Sequence, residues 1–89
     1  MAWRVEIDRA AVRDLSKLER QTAQRILAFL HGRVATLEDP RGLGAALKGS
    51  RLGEFWRYRV GDYRIITSIE DDALRVLVVA VARRDKAYR

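Results

Sequence analysis

The spacing of apolar residues changes character along the chain, and the changes mark its elements. Trp3, Val5 and Ile7 alternate with Arg4 and Glu6, so the opening stretch is expected to form a strand with one buried face. Asp8 follows, a short carboxylate able to accept a hydrogen bond from the first turn of a helix. Beyond it Ala11, Val12, Leu15 and Leu18 recur at helical intervals. A second helical pattern runs through Ala23, Ile26, Leu27, Leu30, Val34 and Leu37, with Gly32 weakening its middle. It should end before Asp39-Pro40, because proline disfavours helical geometry in the residue before it. The short break near Glu19 to Thr22 leaves either a helical hairpin or one bent helix.

Gly42, Gly44, Gly49 and Gly53 punctuate residues 41–53, which read as a loop with a short helical turn around Ala45 to Lys48. From Phe55 the period becomes that of strands: Phe55 to Val60, Tyr63 to Ile69, and Leu74 to Val81, joined at Gly61-Asp62 and Asp71-Asp72. A glycine first in a two-residue loop suits a type II′ hairpin. The last strand is apolar on both faces apart from Arg75, which places it inside the sheet. The expected order is β-α-α-β-β-β, an α+β fold in a single domain over residues 1–89.

A two-residue turn at Gly61-Asp62 has a geometric consequence. Val60 then faces Tyr63, Arg59 faces Arg64, Tyr58 faces Ile65 and Arg57 faces Ile66. Directly opposed residues share a face, so Arg57, Arg59 and Arg64 project together, while Trp56, Tyr58, Val60, Tyr63 and Ile65 take the side that helices can cover. Like charges opposite one another weaken a sheet, so stability does not select this arrangement. Binding an oligoanion would.

Charge supports that inference. The formal net charge is +6, and residues 1–40 carry 7 Lys+Arg against 6 Asp+Glu whereas residues 41–89 carry 11 against 6. Most of these cations are arginines, whose planar fork suits phosphate oxygens. The chain has no cysteine, which excludes a disulfide framework and a thiolate metal site. No stretch approaches the length of a membrane span, and the start MAWRVEID lacks the apolar run of a signal peptide. The expectation is a soluble cytoplasmic protein without a membrane partner. The tail after the last strand, Arg83-Arg84-Asp85-Lys86-Ala87-Tyr88-Arg89, sets an aromatic ring among cations, a combination that can stack a base while holding phosphates.

Taken together, WRVEID, the helix pair ending in LEDP, LKGSRLGEFWRYRVGDYRII and the closing ARRDKAYR resemble the RelE/ParE toxin superfamily of type II toxin–antitoxin systems, in its RelE-like branch. The run from Leu47 to Ile66 carries the most specific likeness. The resemblance implies a twisted, mostly antiparallel sheet with two helices on one face. It further implies a ribosome-dependent endoribonuclease that cuts messenger RNA in the A site through the RNA's own 2′-hydroxyl, with no metal and no cofactor. Implied partners are a RelB-like antitoxin, the ribosome and its messenger, and operator DNA only through the antitoxin complex.

Carried onto this sequence, the resemblance makes Arg57, Arg64, Arg84 and Tyr88 the catalytic set, with Arg64 on the scissile phosphate, Arg84 near the leaving oxygen and Tyr88 orienting a base. Arg59, Arg83, Lys86, Arg89 and Lys48 would bind RNA. Arg57 stands where some relatives have lysine, and a guanidinium stays protonated, so it holds charge but is a poor base. Some relatives have a histidine in the tail, where this chain has Arg83, and some use a glutamate; Glu54 is near in sequence. The proton acceptor is left open. His31, the single histidine, falls in the second helix, where a surface role is expected. Two other activities remain on the same fold: a ParE-like inhibitor of DNA gyrase, and a catalytically impaired toxin acting as a binding module.

Overall fold

The computed structural model describes residues 3–46 and 55–83. Strand β1 (Arg4–Ile7) leads into helices α1 (Arg9–Ser16) and α2 (Arg20–Phe29), then strands β2 (Ala45–Ala46), β3 (Phe55–Val60), β4 (Tyr63–Glu70) and β5 (Arg75–Arg83). The five strands lie in the order β1-β5-β4-β3-β2, antiparallel except for the parallel β1–β5 pair. The expected β-α-α-β-β-β order and the interior position of the last strand hold, and the short β2 is an addition at the edge. None of the described helices is long and apolar enough to cross a membrane.

Asp8 caps α1 as expected, its carboxylate accepting from the Ala10 amide at 3.3 Å. One turn apart, Ala11 and Leu15 are buried, and α1 packs on β5. Val12, read as part of the apolar stripe, is instead 52% exposed, because one residue on from Ala11 it lies about 100° round the helix from the face that meets β5. The break between the helices falls at residues 17–19, and they are separate. The second helical pattern also ends earlier than its apolar spacing suggests. After Phe29 the chain widens into a π-helical turn, Leu30–Val34, closed by Ala35 N–H donating to Leu30 O at 2.9 Å. Gly32 lies within that turn, and Leu37 falls beyond it. The wider turn keeps both Leu30 and Val34 fully buried while aiming Ala35 O at the Trp3 amide, 2.9 Å away. The Trp3 indole then donates to Glu38 O at 3.1 Å, so β1 is tied to the end of the helical layer.

The core lies between the helices and one face of the sheet, around Ile26, Leu30, Tyr58, Ile65, Val76 and Val78. Strict alternation along β5 would bury Val76, Val78 and then Ala80, yet the third buried residue of the strand is Val81. A bulge explains the slip. Ile66 pairs with Ala80 and Thr67 with Val78, which leaves Val79 extra and restores Val81 to the core face opposite Ile65. Beyond Val78 the partner strand β1 has ended, and Asp14 of α1 takes its place by accepting from Val81 N–H at 2.9 Å.

Two loop readings change. The helical turn expected at Ala45 to Lys48 occurs earlier, at Pro40–Leu43, where proline opens a 3-10 turn and the Asp39 side chain accepts from Arg41 N–H at 3.0 Å. Ala45 and Ala46 are strand, and Lys48 lies outside the described residues. The connection at Asp71-Asp72 is longer than two residues: a 3-10 turn, Asp71–Ala73, followed by Leu74 in the left-handed region at φ 49°.

Candidate functional site

The β3–β4 hairpin adopts the expected register. Val60 pairs with Tyr63, Arg59 with Arg64, Tyr58 with Ile65 and Arg57 with Ile66. Gly61 has φ 58° while Asp62 does not have a positive φ, the sign pattern of a type II′ turn, which a residue with a Cβ at position 61 would strain. Tyr58, Val60 and Ile65 are buried against the helical layer. Arg57, Arg59 and Arg64 therefore share the face turned away from the helices. Arg59 is exposed, and Arg57 and Arg64 are half-buried.

These arginines line a cleft of about 230 Å³ together with Leu43, Gly44, Ala45 and Tyr58. Its described lining residues include no carboxylate. Ala45 pairs with Arg57, so the edge strand β2 forms the wall of the cleft, a feature that alternation within the hairpin could not reveal. The wall stands close because Gly44 has no side chain. A Cβ there would lie 3.0 Å from Arg57 O and 3.0 Å from Tyr58 Cε1. Gly42 and Gly44 are legible in the sequence as loop glycines, but the pairing of the residues after them with β3 is not.

The wall is also held from behind. Pro40 is buried, and the Tyr58 hydroxyl donates to Pro40 O at 2.7 Å. Arg41 forks onto Asp71, with Nη1 to Oδ1 at 3.1 Å and Nη2 to Oδ2 at 2.7 Å, and its guanidinium sits 5.7 Å from the Trp56 ring centre. The hydrogen bond that Arg41 donates to Asp71 raises the Arg41 pKa, and the same bond lowers that of Asp71. Burial pushes the Tyr58 phenol up to about 12, so near neutrality it is a hydrogen-bond donor and not a base.

Arg83 does not join this group. It pairs with Tyr63, whose partner Val60 is a core residue, so Arg83 lies on the helix-facing side of the sheet. There it lines a second groove with Asp14, Lys17, Leu18, Tyr63, Val81 and Ala82. The β5 residue opposite Arg64 is Ala82. Deciding this needed the β4–β5 register with its bulge, which the apolar run of β5 conceals. Arg84, Tyr88, Lys86, Arg89, Lys48 and Glu54 lie outside the described residues. His31 is exposed on the π-helical turn, away from the cleft lining. Three guanidinium groups in a cleft with no base among its described lining residues can grip a phosphate and stabilise charge on it, and do not themselves accept a proton.

The fold is that of a class, the small toxins of type II toxin–antitoxin systems. Residues 5–88 match the model of the ParE toxin of type II toxin–antitoxin system, parDE. The chain is 34% identical over 87 residues to toxin RelE of Mycobacterium tuberculosis, covering 98% of this chain and 87% of that protein. Its structure is similar to a chain of the toxin–antitoxin complex RelBE2 from Mycobacterium tuberculosis, with TM-score 0.84, 26% identity and coverage of 94% of this chain and 93% of that one. An archaeal RelE–RelB complex from Pyrococcus horikoshii gives TM-score 0.69 and 27% identity, covering 98% of this chain and 100% of that one. The chain belongs to the RelE/ParE toxin superfamily and is a RelE-like toxin of a type II toxin–antitoxin system.

Proposed function

We propose that the toxin is a ribosome-dependent endoribonuclease that inhibits translation in the cytoplasm by cutting messenger RNA in the A site. The observation that carries this reading is the cleft where Arg57, Arg59 and Arg64 converge with no carboxylate among the described lining residues. In the proposed step the 2′-oxygen bonds to the adjacent phosphorus and the bond to the 5′-oxygen breaks. The 2′-hydroxyl loses its proton and the 5′-oxygen takes one up, leaving a cyclic phosphate and a 5′-hydroxyl. Arg64 stabilises the charge that grows on the phosphoryl oxygens, and Arg57 and Arg59 hold the flanking backbone. Arg84 and Tyr88 complete the catalytic set, Lys86, Arg89 and Lys48 add RNA contacts, and Arg83 would add one only outside the cleft, from the helix-facing groove. Because arginine stays protonated and Tyr58 is held neutral, the acceptor of the 2′ proton is sought outside the described lining, at Glu54, in solvent or on the ribosome. The reaction in this form uses no metal or cofactor.

A RelB-like antitoxin is the proposed protein partner, with operator DNA bound only through the antitoxin complex. The experiment is cleavage mapping on messengers in a translating extract, with wild type and Arg64→Ala at matched amounts. Codon-positioned cuts that require ribosomes and vanish in Arg64→Ala support the reading. Equal cutting by both proteins overturns the assigned site. The match to a ParE toxin model favours one second reading, inhibition of DNA gyrase, which would show as blocked supercoiling with intact messenger.

A further inference from the structure

Leu43 is 38% exposed, and with Val12 it is one of the two large hydrophobic side chains left exposed among the described residues. Unlike Val12 it stands inside the arginine cleft. Ala45 pairs with Arg57 and so shares the face of Arg57, Arg59 and Arg64, and Leu43, the last residue of the 3-10 turn, lines the same cleft two residues earlier. The turn that presents Leu43 is fixed by the Asp39 cap, by Tyr58 on Pro40 O and by the Arg41–Asp71 fork. A rigid apolar side chain held in water beside three cations contributes nothing evident to the core. It does supply an apolar surface on which the flat face of a base can lie.

We infer that Leu43 is the wall against which a nucleobase packs when the neighbouring phosphate is held by the arginines, making it a specificity-determining residue of the cleft. The inference rests on the reading that this cleft takes RNA. Arginine contacts to phosphate set position and are indifferent to the base, whereas contact with Leu43 senses whether a base is there and how much surface it offers.

The test is a cycle on programmed ribosomes carrying a synthetic messenger, intact or with an abasic nucleotide on one side or the other of the cut. Removing the base on one of those sides should slow the wild type roughly tenfold. Leu43→Ala should be slowed by a similar factor on the intact messenger and lose nothing further on the abasic one. Leu43→Met, which keeps the apolar wall, should retain the base dependence. Arg59→Ala should be slower on both messengers by the same factor. Equal sensitivity of wild type and Leu43→Ala to base removal at both positions overturns the inference while leaving the nuclease reading intact, even if Leu43→Ala weakens antitoxin binding. Should the wild type cut neither messenger, the nuclease reading falls and binding decides: at low salt a short RNA should outbind its abasic counterpart with wild type but not with Leu43→Ala, and no such difference overturns the inference.

Discussion

The outer face of the sheet carries arginines at both ends, and the two ends treat them differently. Near the β4–β5 turn, Arg75 donates to Glu70 through Nε at 3.0 Å and Nη2 at 2.6 Å, and to Glu6 through Nη1 at 3.0 Å. Arg4 reaches the second oxygen of Glu6 at 2.7 Å. These bonds raise the Arg75 pKa, the one donated to Glu70 most. At the Gly61-Asp62 end, Arg59 stands directly opposite Arg64, and the described lining of the cleft supplies no acidic residue. The same side chain on the same face is structural where its own sheet brings carboxylates across from it. At the turn end the described cleft lining includes no acidic residue, and there the proposed RNA would meet the positive charge. Position in the register, more than residue type, separates the two roles.

Removing charge from the turn end should have the largest effect. Arg64→Ala is expected to lower messenger cutting by about a hundredfold or more, with the folded signal in circular dichroism unchanged. Importing the other end's chemistry should come next: Ala82→Glu sets a carboxylate across from Arg64, and cutting should fall roughly tenfold while the melting temperature holds or rises. Normal cutting by this variant would show that local charge matching does not silence the cleft.

The wall can be loosened without touching an arginine. Tyr58→Phe removes the donor to Pro40 O and should cost about 1–3 kcal/mol in urea unfolding. Because the folded-state pKa is raised from 10.0 to about 12, the wild type keeps this group's contribution below 10 and loses it as pH rises toward 12. That alkaline loss should be absent in Tyr58→Phe. The smallest effect belongs to the matched end. Arg75→Ala breaks partly exposed ion pairs, so thermal melts should shift little and cutting not at all. A large loss of cutting there would erase the distinction between the ends.

Much of the hairpin was legible because its information is local. The alternation from Phe55 to Ile66 with a glycine-led turn is sufficient to put three arginines on one face, since side-chain direction follows from strand period alone. Arg83 was not legible, because its face depends on where one extra residue sits in an apolar run that reads alike on both sides. The wall at Leu43 to Ala45 was missed for a related reason. Two alanines after a glycine have no strand signature, and they pair because Gly44 allows the chain to approach β3 within van der Waals limits.

The amino-acid sequence by itself therefore determined the element order, the separation of apolar and basic faces in the hairpin, and the surplus of cations in the second half. Each of these follows from neighbours within a few residues. Only the tertiary structure decided which arginines meet carboxylates, which side Arg83 takes, and that an apolar wall closes the cationic cleft. Those depend on strand order and register, set by burying Val76, Val78 and Val81 against the helices, a constraint that couples residues far apart in the chain.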